Sequence, residues 1–280
     1  MRWRSFFIRM GLYLLIPLLF LICWHMVAKE VQNEVILPGI GQVTALLLKP
    51  TQSLLSMGSL LTNVSISLVR VLAGYCLAVC LAIPLGIVMG YYGSAFKLFN
   101  GFLALFRPIP PLAWVPLILA WFGVASLATL FDVQSGHAYI FLNNLKFSMV
   151  FIIFIGAFYP ILTSSIHGVM NVRRTLIDSA RVLGASEWDI FRKILLPAAA
   201  PSIVNGMRIG LGVAWMCLVS AEMLPGSLSG VGYLITHAYT MANTDIVIAG
   251  MISIGAVGAF LDLLFRLVEE HNFKWTRLTR

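Results

Sequence analysis

Long apolar segments are the feature that most constrains how this chain folds. A transmembrane helix needs about 20 mostly apolar residues to cross the hydrocarbon core, so each such segment predicts one span. Five continuous windows meet this length, at about residues 11–28, 68–91, 147–170, 202–224 and 246–268. A sixth, at about 98–122, is interrupted by Arg107-Pro108-Ile109-Pro110-Pro111. The sequence therefore predicts an all-α, polytopic membrane helix bundle of about six transmembrane helices.

The distribution of basic residues predicts the orientation, because cytoplasmic loops are enriched in Lys and Arg. With the N-terminus inside, the outer segments hold only Lys29, Lys49 and Lys146. The inner segments hold twelve basic residues: Arg2, Arg4, Arg9, Lys97, Arg173, Arg174, Arg181, Arg192, Lys193, Lys274, Arg277 and Arg280. We therefore expect both termini to be cytoplasmic. This rule and contact with lipid headgroups account for the net charge of +8, so no nucleic-acid partner is predicted.

The sequence contains no recognisable catalytic or nucleotide-binding motif. The phosphate-binding pattern G-x-x-x-x-G-K-[ST] does not occur, and neither does a nucleophile elbow or a cluster of His and carboxylates at metal-binding spacing. All four cysteines (Cys23, Cys76, Cys80, Cys217) fall in predicted spans, where they are expected to pack as small apolar residues. We predict no catalytic residue, no metal site and no cofactor in this chain, which forms one domain over residues 1–280 and is not an enzyme.

A polar segment between the windows 147–170 and 202–224 carries an ordered motif. It reads Asp178-Ser179-Ala180-Arg181-Val182-Leu183-Gly184, then nine residues, then Ile194-Leu195-Leu196-Pro197. The segment resembles the E-A-A-x-x-x-G-x(9)-I-x-L-P loop of the membrane-spanning subunits of bacterial ABC importers, with Asp178 in place of Glu and Ser179 in place of the first Ala. In that family the loop forms two short helices, joined at the Gly, that dock into a separate ATPase subunit.

The resemblance implies that residues 171–200 form a cytoplasmic ATPase-docking loop. The residues that it assigns to coupling are Asp178, Ser179, Ala180, Gly184, Ile194, Leu196 and Pro197. One helical face would carry Leu176, Ile177, Ala180 and Leu183, and a second would carry Ile190, Ile194 and Leu195, so that each segment packs on a partner. The alternative is a basic amphipathic helix on anionic lipid, which requires neither the Gly nor the terminal I-x-L-P at fixed spacing.

Further runs resemble the nitrate, sulfonate and taurine permeases within this family. They are residues 68–74 (LVRVLAG), 83–86 (IPLG), 107–117 (RPIPPLAWVPL), 221–224 (AEML) and 230–235 (GVGYLI). The resemblance implies a type I importer permease in a bacterial inner membrane, paired with a second copy of itself. It also implies a cytoplasmic ABC ATPase dimer that binds ATP and Mg, and an extracytoplasmic solute-binding protein that sets most of the selectivity.

One segment departs from that group. Roughly twenty extra residues, about 125–144, separate the third window from the fourth, and the predicted topology places them outside the membrane on the extracytoplasmic side. The insertion includes Asp132, Gln134, Ser135, Gly136 and His137. It is either a tolerated surface loop or an added contact with a solute-binding protein.

Polar and aromatic residues within spans or next to them are candidates for the translocation path, because intramembrane charges usually face the bundle interior or a water-filled cavity. We select Arg107, Trp215, Ser220, Glu222, Tyr233 and His237. Arg107 lies among prolines that remove amide donors, so it either contacts a passing anion or caps freed carbonyls. A carboxylate repels anions, so Glu222 is expected to pair with an arginine or to cap a backbone break. Arg70 is expected to snorkel to the outer interface, and Asp262 to pair with Arg266 four residues later.

The function that we predict is the permease subunit of an ATP-driven importer for a small solute, expected to be an anion such as nitrate, a sulfonate, taurine or bicarbonate. Two alternatives belong to other classes. An ion-coupled secondary carrier would need intramembrane acidic coupling sites, for which the chain offers only Glu222 and Asp262. A membrane scaffold would not transport at all. The sequence does not decide among the solutes.

Overall fold

A computed structural model of the chain describes residues 2–54, 56–123, 125–136, 139, 142–224 and 227–273, with side chains from residue 15 onwards. Twelve helices are used below: α1 Arg2–Val31, α2 Ile40–Leu48, α3 Leu60–Tyr91, α4 Gly93–Phe106, α5 Val115–Phe122, α6 Leu127–Leu130, α7 Phe147–Met170, α8 Arg174–Val182, α9 Glu187–Ile190, α10 Leu196–Glu222, α11 Val231–Thr240 and α12 Thr244–Asn272. Within the described residues, β-structure is limited to two isolated bridges, Ser53–Ser59 and Ser126–Lys146. The all-α prediction is confirmed.

Four helical segments are long and apolar enough to cross a membrane, namely α3, α7, α12 and the run Glu187–Glu222 that ends in α10. A fifth results if Gly93–Phe106 and Pro111–Phe122, bent by 80°, are counted as one broken span. The remaining predicted window, 11–28, lies in α1, and its first residues fall outside the described side chains. α3 begins eight residues before its predicted window because Ser59 caps it, accepting a 3.1 Å hydrogen bond from the Thr62 amide.

The proline cluster breaks the third span, as the sequence predicts. α4 ends at Phe106 with Arg107 as its C-cap, a single 3-10 turn covers Pro111–Trp114, and α5 begins at Val115. The three prolines supply no amide hydrogen for an α-helical ladder, so the helix cannot continue through them.

The core of the bundle forms where α7 packs between α3 and α10. It contains Val71 and Ala78 of α3, Ile153 of α7 and Leu218 of α10 among its fully buried side chains. A Cβ at Gly206 would lie 2.3 Å from the Cβ of Ser164, so only glycine allows this approach of α10 to α7. Gly210 serves the same contact, since a Cβ there would lie 2.7 Å from Cγ1 of Ile161.

The first two helices lie apart from this core. Among the described side chains of α1, from residue 15 onwards, none is buried. The Trp24 indole N–H donates a hydrogen bond of 3.1 Å to the carbonyl oxygen of Pro38, in the turn before α2. α2 lies in the segment between the first two predicted spans.

Candidate functional site

The loop between α7 and α10 contains two short helices, α8 and α9, which meet at Gly184. Gly184 has φ +80°, a left-handed conformation that glycine adopts without steric cost, and the Ala185 amide donates to the Ala180 carbonyl oxygen at 3.0 Å. Ser186 caps α9 by accepting a 3.2 Å hydrogen bond from the Asp189 amide. The first short helix and the turn at the glycine that the resemblance implied are therefore present. The second helix is not separate, because it continues through a π-helical turn at Phe191–Leu195 into α10.

The first apolar face of this loop is half uncovered. Leu176 and Leu183 are 50% and 86% exposed, whereas Ala180 is buried and Ile177 packs against the bundle. Val182, which lies outside the predicted face, is 88% exposed. Trp188 of α9 is also exposed. These apolar side chains remain exposed among the described residues.

The second apolar face does not have the predicted role. Ile190 and Leu195 are buried, and Leu195 packs with Val169 of α7 and with Ala199 and Ile203 of α10. The prediction that this face is free to pack on a partner is wrong, because the spans of the same chain already cover it. Among the predicted coupling residues, Ile194 is half-buried, and Asp178, Ser179, Gly184, Leu196 and Pro197 are exposed.

An ion-pair network joins the two loop helices to a span. Arg181 of α8 contacts Glu187 of α9 at 3.0 Å and Asp178 at 3.8 Å. Tyr91, the last residue of α3, donates a 2.6 Å hydrogen bond to the second oxygen of Glu187. The hydrogen bonds that Arg181 donates to Glu187 hold the pKa of Arg181 above its usual range.

At the other end of the bundle, Glu222 is fully buried in an ion pair with Arg70 at 2.7 Å. Its carboxylate also accepts hydrogen bonds from the Ser67 hydroxyl (2.9 and 2.8 Å) and from the Gly232 amide (3.1 Å). The expectation that Glu222 pairs with an arginine and caps a backbone break is confirmed. Because the Glu222 side chain is fully buried and all of these partners belong to the same chain, its carboxylate is not placed to touch a solute.

Arg70 uses the rest of its guanidinium to bind two loops. Nε donates to the carbonyl oxygen of Asn144 at 2.7 Å, and Nη1 and Nη2 donate to the carbonyl and hydroxyl oxygens of Ser229, each at 2.7 Å. The expectation that Arg70 snorkels to the interface is wrong, since it is 1% exposed. Burial, with a further contribution from the charge of Arg70, lowers the pKa of nearby Lys146.

The other path candidates differ in accessibility. Trp215 lies in the core, and its indole N–H donates to the Ile254 carbonyl oxygen at 3.2 Å. Ser220 is half-buried and bonds back to the Met216 carbonyl oxygen at 3.0 Å. Tyr233 and His237, one turn apart on α11, are half-buried and stack with ring centroids 5.9 Å apart. Arg107 is exposed. Of the six candidates, burial removes Trp215 and Glu222 from direct solute contact.

The structure identifies residues that the sequence did not reveal. Asn63, Ser67 and Asn144 were not selected, and their spacing carries no signal beyond an ordinary helix face or loop. Trp114, in the turn of the broken span, has the only buried side-chain N or O atom among the described residues that lacks a hydrogen-bond partner. Its indole N–H is therefore a free donor.

The expected ion pair between Asp262 and Arg266 does not form. Asp262 binds Arg208 of α10 in a bidentate contact of 2.5 and 2.9 Å. The reason is that α10 packs against α12, which brings a planar guanidinium into position for both oxygens.

Within the described residues, no group of three or more His, Cys, Asp or Glu could hold a metal ion. The residue His137 of the insertion lies outside the described residues, as do Lys274, Arg277 and Arg280.

Sequence comparison relates the chain to a large transport family. Residues 82–273 match the family described as binding-protein-dependent transport system inner membrane component. The chain is 46% identical over 265 residues to a protein of Methanocaldococcus jannaschii described as an ABC transporter permease, covering 95% of this chain and 92% of the relative. It is 30% identical over 262 residues to the taurine transport system permease TauC of Escherichia coli, covering 93% and 87%.

A nitrate import permease, NrtB of Leptolyngbya laminosa, is 35% identical over 208 residues, covering 74% of this chain and 67% of the relative. Among solved structures, a chain of the methionine ABC transporter MetNI in an inward-facing form shares the fold, with a TM-score of 0.62 and 15% sequence identity. The match covers 76% of this chain and 95% of that chain.

Proposed function

Because this chain belongs to the family of binding-protein-dependent inner membrane permeases of ABC importers, we propose that it forms the translocation path for a small anion and couples that path to ATP hydrolysis through residues 171–200. As a permease of this family, it is a transport component, and a partner ATPase hydrolyses ATP. The related permeases named for taurine and nitrate support an oxyanion of the sulfonate or nitrate type as the solute.

The observation that carries the coupling proposal is the uncovered apolar surface of the loop. Val182 and Leu183 are each more than four-fifths exposed on a helix that follows the family spacing around Gly184. An apolar surface of this kind on the polar side of a membrane protein marks an interaction site. A groove on the ATPase would remove these side chains from water.

The packing of the loop supports a route for coupling. When two ATPase subunits close on ATP, α8 would move with the groove that holds it. Leu195 and Ile190 are packed into the bundle, so the displacement would pass directly to α7 and α10. We expect a homodimer, because one docking loop serves one ATPase subunit and the ATPases act in pairs. Both termini and the loop would lie in the cytoplasm, and the insertion at 125–144 outside.

A secondary carrier would need a carboxylate free to exchange a coupling ion. Glu222 is engaged by Arg70, Ser67 and the Gly232 amide, and Asp262 is engaged by Arg208. Neither acid is therefore available for ion coupling, which makes a carrier mechanism a poor fit to this structure.

The test is purification of the tagged chain from its native membrane in mild detergent, followed by reconstitution. We expect a protein with the G-x-x-x-x-G-K-[ST] motif to co-purify, and uptake of taurine or nitrate to require internal-side ATP and a solute-binding protein. Substitution of both Val182 and Leu183 by Ser should release the ATPase, whereas Leu130→Ser on the insertion should retain it as a matched control. Solute uptake driven by an ion gradient without ATP would overturn the proposal.

A further inference from the structure

Two of the apolar spans carry charged side chains on their exposed surfaces. Asp262 of α12 and Arg208 of α10 form an ion pair, and their side chains are 47% and 26% exposed. Glu269 lies 3.7 Å from the same guanidinium, and its side chain is 37% exposed. Asp262 lies inside the apolar window 246–268 and Arg208 inside 202–224. This face of α10 and α12 therefore places charges at a depth where hydrocarbon surrounds a single bundle.

Asn205 extends the polar surface along α10. It lies three residues before Arg208, on the same side of the helix, and its side chain is exposed. Among the described residues, its side-chain amide has no hydrogen-bond partner. Gly212, one turn beyond Arg208, is also exposed, and a Cβ there would meet no atom within 4 Å. The chain by itself thus leaves the amide unsatisfied and the space at the glycine empty.

Lipid does not suit this surface. Elsewhere the spans expose apolar side chains to it, namely Leu72, Leu77, Leu81 and Val88 of α3 and, on the side of α12 away from Asp262, Phe260, Leu264 and Leu267. A carboxylate or an amide in hydrocarbon is costly, and Asp and Asn lack the long stem with which Lys and Arg reach the headgroups. Protein or water must therefore cover Asn205 and Asp262.

We propose that a second copy of the chain packs on the pairing surface, which consists of Asn205, Arg208, Gly212 and Asp262, so that α10 faces α10 across a two-fold axis. The inference rests on the proposed function, because it locates the contact of the homodimer expected there. A two-fold contact uses the same patch on both subunits, so the patch must be complementary to itself.

The pairing surface is complementary to itself in charge and in hydrogen bonding. It carries a guanidinium and a carboxylate, so each copy offers an opposite charge to both groups of the other. The Asn205 amide is both a donor and an acceptor, and the same amide of a second copy satisfies both. Gly212 allows two helices to approach closely, as small residues do at helix contacts in membranes.

Disulfide formation between two copies tests this contact. Asn205→Cys is placed in a full chain whose four native cysteines are replaced, and its native membranes are oxidised with copper phenanthroline. A disulfide requires Cα atoms within about 7 Å, so linked dimer on a non-reducing gel reports a direct approach. Leu81→Cys, 51% exposed on α3, is the matched control. We expect Asn205→Cys to link about tenfold faster, because a held pair has a higher effective concentration than colliding proteins.

Removal of the amide provides a second measurement. Asn205→Leu should weaken the dimer about threefold in mild detergent, the factor for one hydrogen bond between helices in a membrane. Asn205→Gln, which keeps an amide, should retain the wild-type dimer. Exchange of subunits between differently tagged copies measures both. Linked dimer together with an unchanged exchange rate in Asn205→Leu would overturn the amide pairing.

Equal linking rates for Asn205→Cys and Leu81→Cys would overturn the pairing surface. Rapid reaction of Asn205→Cys with a charged methanethiosulfonate reagent, without linked dimer, would also overturn it and would assign this face to a water-filled space. Failure of the proposed function gives a different pattern. In that case linked dimer forms, but no ATPase accompanies it and solute uptake does not depend on ATP.

Discussion

The hydroxyl of Tyr91 donates a 2.6 Å hydrogen bond to Oε2 of Glu187, joining the end of α3 to the second helix of the loop 171–200. Glu187 is bound on its other oxygen by Arg181, so α3, α9 and α8 are linked through one carboxylate. Towards its other end, α3 carries Arg70 of the buried Arg70–Glu222 ion pair. A displacement of the loop can thus reach both ends of the same span.

Tyr91→Phe removes this bond and keeps the aromatic ring, which packs edge-on against Tyr92 with centroids 4.8 Å apart. We expect ATPase binding to persist and solute uptake per ATP hydrolysed to fall by about two- to tenfold, because one exposed charge-assisted hydrogen bond contributes on the order of 1 kcal/mol. Reconstituted uptake and ATPase assays measure the ratio. Tyr92→Phe, which keeps the same ring contact, is the control, and an unchanged ratio in Tyr91→Phe would show that the bond transmits nothing.

Gly184→Pro should abolish ATPase co-purification, since proline fixes φ near −65° and Gly184 requires +80°. Gly184→Asn should bind nearly normally because asparagine tolerates the left-handed region. Asp178→Glu, which restores the family residue, should also bind. Pull-down of the ATPase from detergent extracts distinguishes the three, and normal binding of the proline variant would refute the docking geometry.

Thiol labelling in intact cells tests the predicted topology. A cysteine at Ser135, exposed in the insertion, should react with an impermeant maleimide from outside, and one at Ser186, the exposed N-cap of α9, should not. Both are placed in a background without the native cysteines. Permeabilised cells, in which both sites should react, provide the control. The opposite pattern would place the loop away from ATP and contradict the coupling proposal.

Two substitutions of Arg107 distinguish its two candidate roles, because one keeps the charge and the other removes it. If it attracts a passing anion, Arg107→Lys should retain more uptake than Arg107→Gln, and both complexes should assemble normally. A carbonyl-capping role predicts that both variants lose thermal stability together, because neither keeps the five-donor guanidinium. Its exposure in the structure favours the first outcome. Uptake equal to wild type in both variants would exclude either role.

Trp114→Phe deletes the buried indole N–H that has no partner. Loss of an unpaired donor should leave thermal stability unchanged or raise it, while uptake falls if the donor serves the solute. Trp215→Phe is the matched control, because that indole donates to Ile254 and its loss should cost about 1 kcal/mol of stability. A comparable loss of stability in Trp114→Phe would reveal a hydrogen bond that the structure does not contain.

Local patterns were sufficient for much of the fold. Apolar length located α3, α7, α10 and α12, and the prolines after Arg107 located the break in the third span. The spacing around Gly184 indicated two short helices because a turn of this kind depends on one residue able to adopt positive φ. The sites were harder to predict from the sequence, since Ser67, Asn63 and Asn144 resemble ordinary polar residues until their neighbours are known.

The sequence by itself determined that the chain is a helical membrane permease, because hydropathy, basic-residue placement and motif spacing act over short stretches of chain. Only the tertiary structure decided which charges meet. Arg70 and Glu222 are 152 residues apart, and Asp262 binds Arg208 of a neighbouring helix rather than Arg266 on its own. Such partners are chosen by how helices pack, since a buried charge must find a counter-charge within a few ångströms wherever the chain places one. The same packing covers Leu195 and leaves Leu183 exposed.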